Sequence, residues 1–286
     1  MQKRILVVTQ HFWPENFRIN DMVAGFVQDG VAVDVLCGLP NYPKGEWFDG
    51  YSENGPWEQT YQGAGVYRAK EIPRKGNTGL RIFLNYVSWP WYAAKELHRL
   101  PGGYDAVFCF NTSPVLMCWP ALRYAKKHKI PFTNYVLDIW PENLYSVLPV
   151  KNRFLRWVAQ TVSDWLYKRA DRLIAMSVPL QKRLCERTGK PADAVAVIPQ
   201  YCEDFYAIPQ EDAELRQRFG VSVDWLLEDA KGWETLSDRP AAPEVSEEAV
   251  PKVRKSVLPW AIPLGISVLG LLLLGIFASV FPAEYV

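Results

Sequence analysis

The sequence predicts an α/β fold with a single Rossmann-like, doubly wound parallel sheet, followed by a linker and one transmembrane helix. Short apolar runs alternate with longer segments of helical period through the first two thirds of the 286 residues. Such runs are typical of strands that are buried on both faces and joined by crossover helices. The composition then changes after Gly220, and an uncharged run extends from Trp260 to Phe281.

Seven strands and five helices follow from this alternation. We predict strands at residues 4–9, 31–37, 65–69, 106–110, 132–137, 172–175 and 194–198. We predict helices at residues 19–28, 79–100, 115–127, 152–168 and 179–188. Strands and helices that alternate this often bring the carboxyl ends of the strands to one edge of the sheet, where ligands of α/β proteins bind.

The residues after this α/β domain predict a linker and a membrane span. Residues 221–256 carry eight Asp or Glu, five Lys or Arg and three prolines, which is typical of a flexible linker. At about 1.5 Å per residue, a helix over residues 257–281 crosses a hydrocarbon core of roughly 30 Å, leaving a short tail at residues 282–286. A buried core helix is the alternative, although globular helices seldom extend this far without a polar face.

Charge around the span predicts its orientation. Lys252, Arg254 and Lys255 precede the uncharged run, and no Lys or Arg follows it. Because basic residues collect on the cytoplasmic side of membrane spans, we expect residues 1–220 in the cytoplasm and Val286 outside.

Composition and short motifs exclude several classes of function. Lys plus Arg total 32 and Asp plus Glu total 31, so no net charge attracts nucleic acid. The five cysteines are scattered without a C-x-x-C pair, which favours reduced core thiols, and the three histidines lack zinc-site spacing. We therefore predict no protein-bound metal. No G-x-G-x-x-G follows the first strand, which argues against a nicotinamide or flavin enzyme.

The turn after the first strand places polar groups immediately before a helix. It reads H-F-W-P-E-N-F-R, and His11, Glu15 and Arg18 are its candidate substrate-binding residues. A helix N-terminus holds anions, and the forked donors of arginine suit them. The alternative is a helix cap in which Asn16 or Asn20–Asp21 satisfies free backbone amides.

The turn after the second strand is held by two prolines and two glycines. It reads G-L-P-N-Y-P-K-G, and Asn41, Tyr42 and Lys44 are its candidate substrate-binding residues. Proline and glycine fix the loop, so these polar side chains can face a ligand beyond the strands. A rigid surface loop without a ligand is the alternative.

Two further turns follow the fourth and fifth predicted strands. The first carries Asn111, Thr112 and Ser113, and the second, L-D-I-W-P-E, carries Asp138 and Glu142. A carboxylate that leaves a buried strand is costly unless it is paired or used, so Asp138 is the candidate catalytic residue. The other four are candidate substrate-binding residues. The alternative for Asp138 is a cap on the next helix.

In combination, these four turns resemble the N-terminal half of bacterial family-4 glycosyltransferases. The resemblance rests on H-F-W-P-E-N-F-R-I-N-D, G-L-P-N-Y-P-K-G, N-T-S-P-V and L-D-I-W-P-E in this order, and it extends to about Gly220. Within the family, the sequence is similar to the transferases of capsule, O-antigen and colanic-acid assembly, including the N-acetyl-L-fucosamine transferases. Residues 1–220 are therefore identified as a family-4 N-terminal domain.

The resemblance implies a GT-B architecture, in which two Rossmann-like domains face each other across a cleft. It implies that residues 1–220 hold the acceptor, that Asp138 lies beside the reacting sugar carbon, and that a nucleotide-sugar is the donor substrate rather than a permanent cofactor. Together with the uncharged run, the resemblance predicts as partners a lipid-linked glycan and the bacterial inner (plasma) membrane, and, for a split enzyme, a separate donor-binding glycosyltransferase subunit. The sequence departs from the family pattern at two places. Gln200 stands where relatives usually have Asn after Ile-Pro, and no E-x7-E donor motif follows Gly220.

The helix predicted at residues 152–168 admits two interpretations. Its aromatic and aliphatic side chains share one face, and Lys and Arg flank that face. Either the face packs against the sheet, or the helix lies in a membrane interface and is drawn to anionic lipid. In the second case the tryptophan-rich residues 88–92 would join the lipid contact.

Three functions remain open on the sequence. The first is a membrane-tethered glycosyltransferase, or the acceptor half of a split one, with the leaving diphosphate stabilised largely by the donor half. The second is a non-catalytic anchored module that binds lipid-linked glycans or assembly partners. The third is a truncated or fused gene product without activity.

Overall fold

Eight strands form one mixed sheet in this computed structural model, which describes residues 2–77, 79–147 and 151–200. The order across the sheet is β3-β4-β2-β1-β5-β6-β7-β8, and every neighbouring pair is parallel except β3 with β4. The strands are β1 (Arg4–Val8), β2 (Ala32–Gly38), β3 (Glu58–Tyr61), β4 (Ala64–Ala69), β5 (Ala106–Asn111), β6 (Phe132–Val136), β7 (Arg172–Ala175) and β8 (Val195–Val197).

Helices cover both faces of the sheet. Those in the described ranges are α1 (Ile19–Gln28), α2 (Gly79–Glu96), α3 (Cys118–His128), α4 (Glu142–Val147), α5 (Arg153–Lys168) and α6 (Val178–Thr188). One core cluster joins α2, α3, α5 and α6 to one face, and a second joins α1 to the other. The predicted doubly wound arrangement is therefore present.

The chain changes direction across the sheet between β1 and β5. β1 pairs with β2 on one side and with β5 on the other, both in parallel. α1 leads from β1 to β2, whereas α2 and α3 lead towards β5 and β6 on the opposite face. In sheets of this kind, the loops that diverge at the reversal leave a crevice beyond the carboxyl ends of the strands.

The prediction of a purely parallel sheet is wrong at β3. This strand reads E-Q-T-Y and is partly exposed, so it lacks the apolar run that marks a buried strand. Gln62 and Gly63 both have positive φ, 48° and 88°, and connect β3 to β4. A two-residue turn of this kind matches the twist of an antiparallel pair. β3 needs no apolar run because it covers only the edge of the sheet.

Two helix predictions differ from the structure by more than one residue, and one helix was not predicted. α2 ends at Glu96 rather than at residue 100, because a 3₁₀ turn takes over at Leu97–Arg99. α3 begins at Cys118 rather than at residue 115, after a 3₁₀ turn over Val115–Met117. α4 was not predicted, because six residues are too few to show a helical period.

The two interpretations of α5 apply to different halves of the helix. Leu166 and Tyr167 are buried in the core, so the second half packs on the sheet as the first interpretation predicts. Phe154 and Trp157 in the first half are 49% and 62% exposed, with their rings stacked 5.9 Å apart. The first half therefore leaves an aromatic surface open to solvent.

Three cysteines are core residues, as the sequence predicts. Cys37, Cys109 and Cys118 are fully buried, and burial raises the pKa of Cys37 to about 11. A thiol that resists ionisation in this way behaves as a small apolar side chain. Cys202 lies outside the described residues.

Several predictions fall on residues that the structure does not describe. These are the end of the α/β domain at 201–220, the linker at 221–256, the span at 257–281 and the tail at 282–286. Within the described part of the chain, no helix is both long and apolar enough to cross a membrane.

Candidate functional site

Five loops meet at the carboxyl edge of the sheet, following β1, β2, β4, β5 and β6. Their strands lie side by side around the point where the strand order reverses. Ten of the eleven predicted site residues lie in four of these loops or in the helical turns that follow them, and Asn111 is the last residue of β5. The structure therefore brings them to the edge where ligands of open α/β sheets bind.

Glu15 joins the first two loops. Its side chain is buried, and Oε2 lies 2.8 Å from Nδ1 of His11. Oε1 accepts hydrogen bonds from the backbone amides of Asn41 at 2.8 Å and Tyr42 at 2.7 Å. Two amides and an imidazole satisfy the carboxylate. Glu15 therefore fixes the positions of two other predicted residues.

Aromatic rings pack together across these two loops. His11 stacks on Phe17, with ring centroids 5.0 Å apart, and Tyr42 lies 5.2 Å from His11. The guanidinium of Arg74 lies 5.4 Å from the ring of Tyr42. Tyr42 is 39% exposed and Lys44 is also exposed, so both side chains are available to a ligand.

The start of α1 is held by its loop and has no side-chain cap. Arg18 occupies the N-cap position without a side-chain capping bond and lies 3.7 Å from Asp21. Asn20 accepts a hydrogen bond from the backbone amide of Trp13 and donates to the carbonyl of Glu15. Asn20 therefore fixes the loop rather than capping the helix.

Glu71 connects three elements beneath these loops. Its Oε2 accepts from Nε2 of Gln10 at 2.6 Å and Nδ2 of Asn85 at 2.9 Å, and its Oε1 accepts from Nδ2 of Asn41 at 2.7 Å. Gln10 follows β1, Asn41 follows β2, and Asn85 lies on α2. The buried carboxyl thus holds two loops and a helix together.

Burial also favours the neutral form of Glu71. It raises the pKa of Glu71 to about 8, and the nearby Glu15 carboxylate adds to this shift, whereas hydrogen bonds from Gln10 and Asn85 oppose it. Oε1 of Gln10 beside Glu71 is also buried and has no hydrogen-bond partner among the described residues.

The pKa of Glu71 predicts how stability depends on pH. Between about pH 4.5 and 8 the folded chain keeps a proton on Glu71 that the unfolded chain releases. This group therefore makes the free energy of unfolding fall as pH rises through this range. Urea unfolding in mild detergent should show a steeper fall with pH for the unchanged chain than for Glu71→Gln. Parallel pH profiles for the two proteins would contradict the prediction.

Gly38 at the end of β2 leaves room for this cluster. A Cβ added there would lie 2.6 Å from Oε1 of Glu71 and 2.9 Å from the carbonyl oxygen of Gln10. We expect Gly38→Ala to destabilise the fold by about 1–3 kcal/mol, measured by urea unfolding. Gly25→Ala is the matched control, because its Cβ meets no heavy atom within 4 Å, and it should stabilise α1 by roughly 0.5–1 kcal/mol. Equal effects of the two changes would refute the steric argument.

Arg68 is a second buried connector. Its Nη1 donates to the carbonyl oxygen of Gly38 at 2.8 Å, and its Nη2 donates to that of Trp13 at 2.7 Å. Its Nε donates to Oε1 of Gln59 on β3, and its guanidinium lies 5.0 Å from the ring of Tyr51. Arg68 therefore fastens the first loop and the edge strand to the end of β2.

Asp138 lies two residues after the end of β6, at the same edge. It is half-buried, and burial raises the pKa of its carboxyl, while a hydrogen bond with the side chain of Asn143 opposes the shift. Asn143 lies on α4, one residue after the start of that helix. The carboxyl is therefore held over the first turn of α4 and still reaches solvent.

Glu142 is engaged in ion pairs with α6. Its Oε1 accepts from Nη2 of Arg183 at 3.0 Å, and its Oε2 accepts from Nη1 of Arg187 at 3.1 Å. Arg187 is buried and also donates to Asp164 at 2.7 Å and to the carbonyl of Trp140 at 2.6 Å. The Glu142 carboxylate thus ties α4 to α6.

The loop after β5 offers hydroxyl groups rather than an amide. Asn111 is fully buried at the end of β5, and its side-chain amide has no partner among the described residues. Thr112 and Ser113 are partly exposed at the rim. Substrate contacts by these three residues stay predictions, and the hydroxyls are the more accessible groups. Within the described ranges, no group of three or more His, Cys, Asp or Glu is placed to hold a metal ion.

The family model described as Glycosyltransferase Family 4 matches residues 17–200. The chain belongs to glycosyltransferase family 4. This family-4 match covers the part of the sheet from α1 to the end of β8 and includes the loops after β2, β4, β5 and β6. No curated protein matches the chain.

Solved glycosyltransferase structures are also similar to this family-4 chain. HepE of Anabaena, in complex with UDP-glucose, has a TM-score of 0.42 and 13% identity, covering 76% of this chain and 50% of its own. The calicheamicin glycosyltransferase CalG4 has a TM-score of 0.42 and 11% identity, and the match covers 71% of this chain and 52% of CalG4. Apo UGT2 of Phytolacca americana has a TM-score of 0.40 and 10% identity, and the match covers 75% of this chain and 54% of UGT2. The chain thus spans about half the length of these structures.

Four residues that organise this family-4 site were not predicted: Gln10, Arg68, Glu71 and Asn85. Their partners are distant in sequence, so no local pattern shows what each of them holds. A signal was present for Glu71, a carboxylate that lies two residues after the predicted strand at residues 65–69. Treating the loop after this strand like the other four would have found it.

Proposed function

We propose that this chain is the acceptor-binding part of a glycosyltransferase of cell-surface polysaccharide synthesis. It would transfer a sugar from a nucleotide-sugar to a lipid-linked glycan. The observation that carries the proposal is Asp138, a half-buried carboxyl with a raised pKa at the binding edge of a family-4 domain. A carboxylate acts best as a proton acceptor when its pKa approaches the working pH. We assign to Asp138 the role of accepting the proton from the acceptor hydroxyl.

The other site residues divide by accessibility into two proposed roles. Tyr42, Lys44, Thr112 and Ser113 reach solvent and are proposed to contact the acceptor. The buried or paired residues are proposed to position those contacts: His11, Glu15, Arg18, Asn41, Asn111 and Glu142. Positioning of this kind supplies much of the rate enhancement in group transfer.

The donor nucleotide-sugar is proposed to be a substrate held by a separate donor-binding subunit. The support is the resemblance of residues 1–220 to the acceptor half of the family, together with the family-4 match over residues 17–200. That subunit would stabilise the charge on the leaving diphosphate.

A lipid-linked acceptor would place the reaction at the bacterial inner membrane, with residues 1–220 in the cytoplasm. The support is the uncharged run from Trp260 to Phe281, which follows three basic residues. Within family 4 we propose the N-acetyl-L-fucosamine transferase group, on the four loop motifs of the sequence.

Reconstituted transfer tests this proposal. The full chain in mild detergent is mixed with a polyprenyl-diphosphate-linked glycan and labelled nucleotide-sugars, with and without a donor-binding glycosyltransferase subunit. Transfer that appears only with the subunit supports a split enzyme. Tight binding of a nucleotide-sugar to this chain alone, measured by calorimetry, would contradict it.

A non-catalytic acceptor-binding module is the second candidate. It is favoured by the engagement of Glu15, Glu71 and Glu142, whose carboxyl groups all form hydrogen bonds with other groups of the protein. Acceptor binding without transfer, in the presence of the subunit, would establish this function. If neither acceptor binding nor transfer is detected, the chain would be an inactive gene product.

A further inference from the structure

A groove lined by basic and aromatic side chains lies between α2 and α3. Its volume is about 430 Å³, within the range of ligand sites. Lys95, His98, Arg123, Lys127 and His128 line it together with two tryptophans, and no lining residue is acidic. It lies on helices, away from the loops at the carboxyl edge.

The positive charge in this groove is not neutralised by neighbouring carboxylates. Among the described residues, Lys95, Arg123 and Lys127 form no ion pair. Residues 79–99 and 118–128 together contain six Lys or Arg and one acidic residue, Glu96, which pairs with Arg99 at 3.0 Å. Clustered cations of this kind attract anions.

Two tryptophans hold the cations in place. The rings of Trp91 and Trp119 lie nearly parallel with centroids 6.4 Å apart. Nζ of Lys95 lies 5.3 Å from the Trp91 ring, and the guanidinium of Arg123 lies 6.0 Å from the Trp119 ring. Trp91 is 38% exposed. Indole rings beside basic side chains are typical of surfaces at the headgroup level of a membrane.

The basic and aromatic surface continues from α3 to α5. Nζ of Lys126 lies 5.9 Å from the ring of Trp165 on α5, and the guanidinium of Arg169 lies 4.8 Å from the same ring. Burial and the charge of Arg169 lower the pKa of Lys126. The exposed rings of Phe154 and Trp157 lie on the same helix. Since α2, α3 and α5 pack on one core cluster, they form one layer with a broad cationic and aromatic surface.

We propose that this groove binds the phosphate headgroups of anionic phospholipids and docks the domain onto a membrane surface. The exposed Trp91, Phe154 and Trp157 add apolar area that suits the interface between headgroups and acyl chains. The even balance of 32 basic and 31 acidic residues in the whole chain favours lipid over nucleic acid. This docking goes beyond the proposed sugar transfer, because it needs neither donor nor acceptor.

Lysine labelling in lipid nanodiscs tests the docking. The full chain is reconstituted in discs of neutral phosphatidylcholine or of phosphatidylcholine mixed with phosphatidylglycerol, then treated with an amine-reactive reagent. Labelling of Lys95 and Lys127, read by mass spectrometry, should fall several-fold in the anionic discs. Lys3, exposed just before β1, and Lys182, exposed on α6, serve as internal controls. Their labelling should be the same in both kinds of disc.

A matched pair of variants and two soluble ligands complete the test. Arg123→Gln keeps both reporter lysines and should abolish their protection, whereas Arg172→Gln, at an exposed arginine of β7, should keep it. Equal labelling in both kinds of disc would overturn the proposal. So would protection in neutral discs by inorganic phosphate or by an oligonucleotide, which would indicate a soluble anion or nucleic acid as the ligand. No outcome bears on sugar transfer, because donor and acceptor are absent.

Discussion

Replacing Asp138 with asparagine is expected to reduce sugar transfer in the reconstituted assay by about 100-fold or more. The asparagine has nearly the same shape and can keep a hydrogen bond to Asn143, so the loop after β6 should stay in place. It cannot accept a proton from the acceptor hydroxyl. We therefore expect the loss in kcat, with little change in the apparent affinity for the acceptor.

The pH profile separates this role from a structural one. Burial raises the pKa of Asp138 above its ordinary value of 3.8, and the active form is the ionised carboxylate. Activity should therefore rise with pH through this raised pKa, and the Asp138→Asn variant should lack that rise.

The control for Asp138→Asn is Asp193→Asn. Asp193 is an exposed carboxylate on a 3₁₀ turn that precedes β8, away from the carboxyl edge of the sheet. Unchanged transfer by both variants would show that Asp138 has no catalytic role, even if the chain proves to be a transferase.

Most of the sheet is predictable because its strands are buried on both faces. The runs that become β1 and β5 are mostly apolar in sequence for the same reason that they lie at the centre of the sheet. β3 and α4 are not predictable in this way. β3 is a polar edge strand, and α4 is shorter than two helical turns. Burial therefore requires an apolar pattern in the sequence, and elements at the margin of the core show little of that pattern.

The site is predictable only in part, for a different reason. Loops that follow buried strands must meet at one edge of a parallel sheet, so the positions of His11, Asn41 and Asp138 follow from the order of elements. The bonds between them do not follow, because Glu15 and Glu71 reach residues in other loops. Such pairings depend on register and loop geometry, which local patterns in the sequence do not encode.

The largest expected loss of stability is at Arg68. Arg68→Met is expected to lower the free energy of unfolding by roughly 3 kcal/mol. Methionine fills much of the same volume, but it donates no hydrogen bond to the carbonyl oxygens of Gly38 and Trp13. Each buried carbonyl left without a donor costs about 1–3 kcal/mol.

A matched arginine on the surface shows whether this loss comes from the buried bonds. Arg172→Met removes the same charge at an exposed position on β7 and should change stability by no more than about 0.5 kcal/mol. Both variants are measured by urea unfolding of the full chain in mild detergent, with tryptophan fluorescence as the signal. Equal losses would show that the Arg68 bonds contribute little. A loss confined to Arg68→Met would mean that one buried side chain holds the first loop against β2, and with it the frame on which the exposed acceptor-binding residues depend.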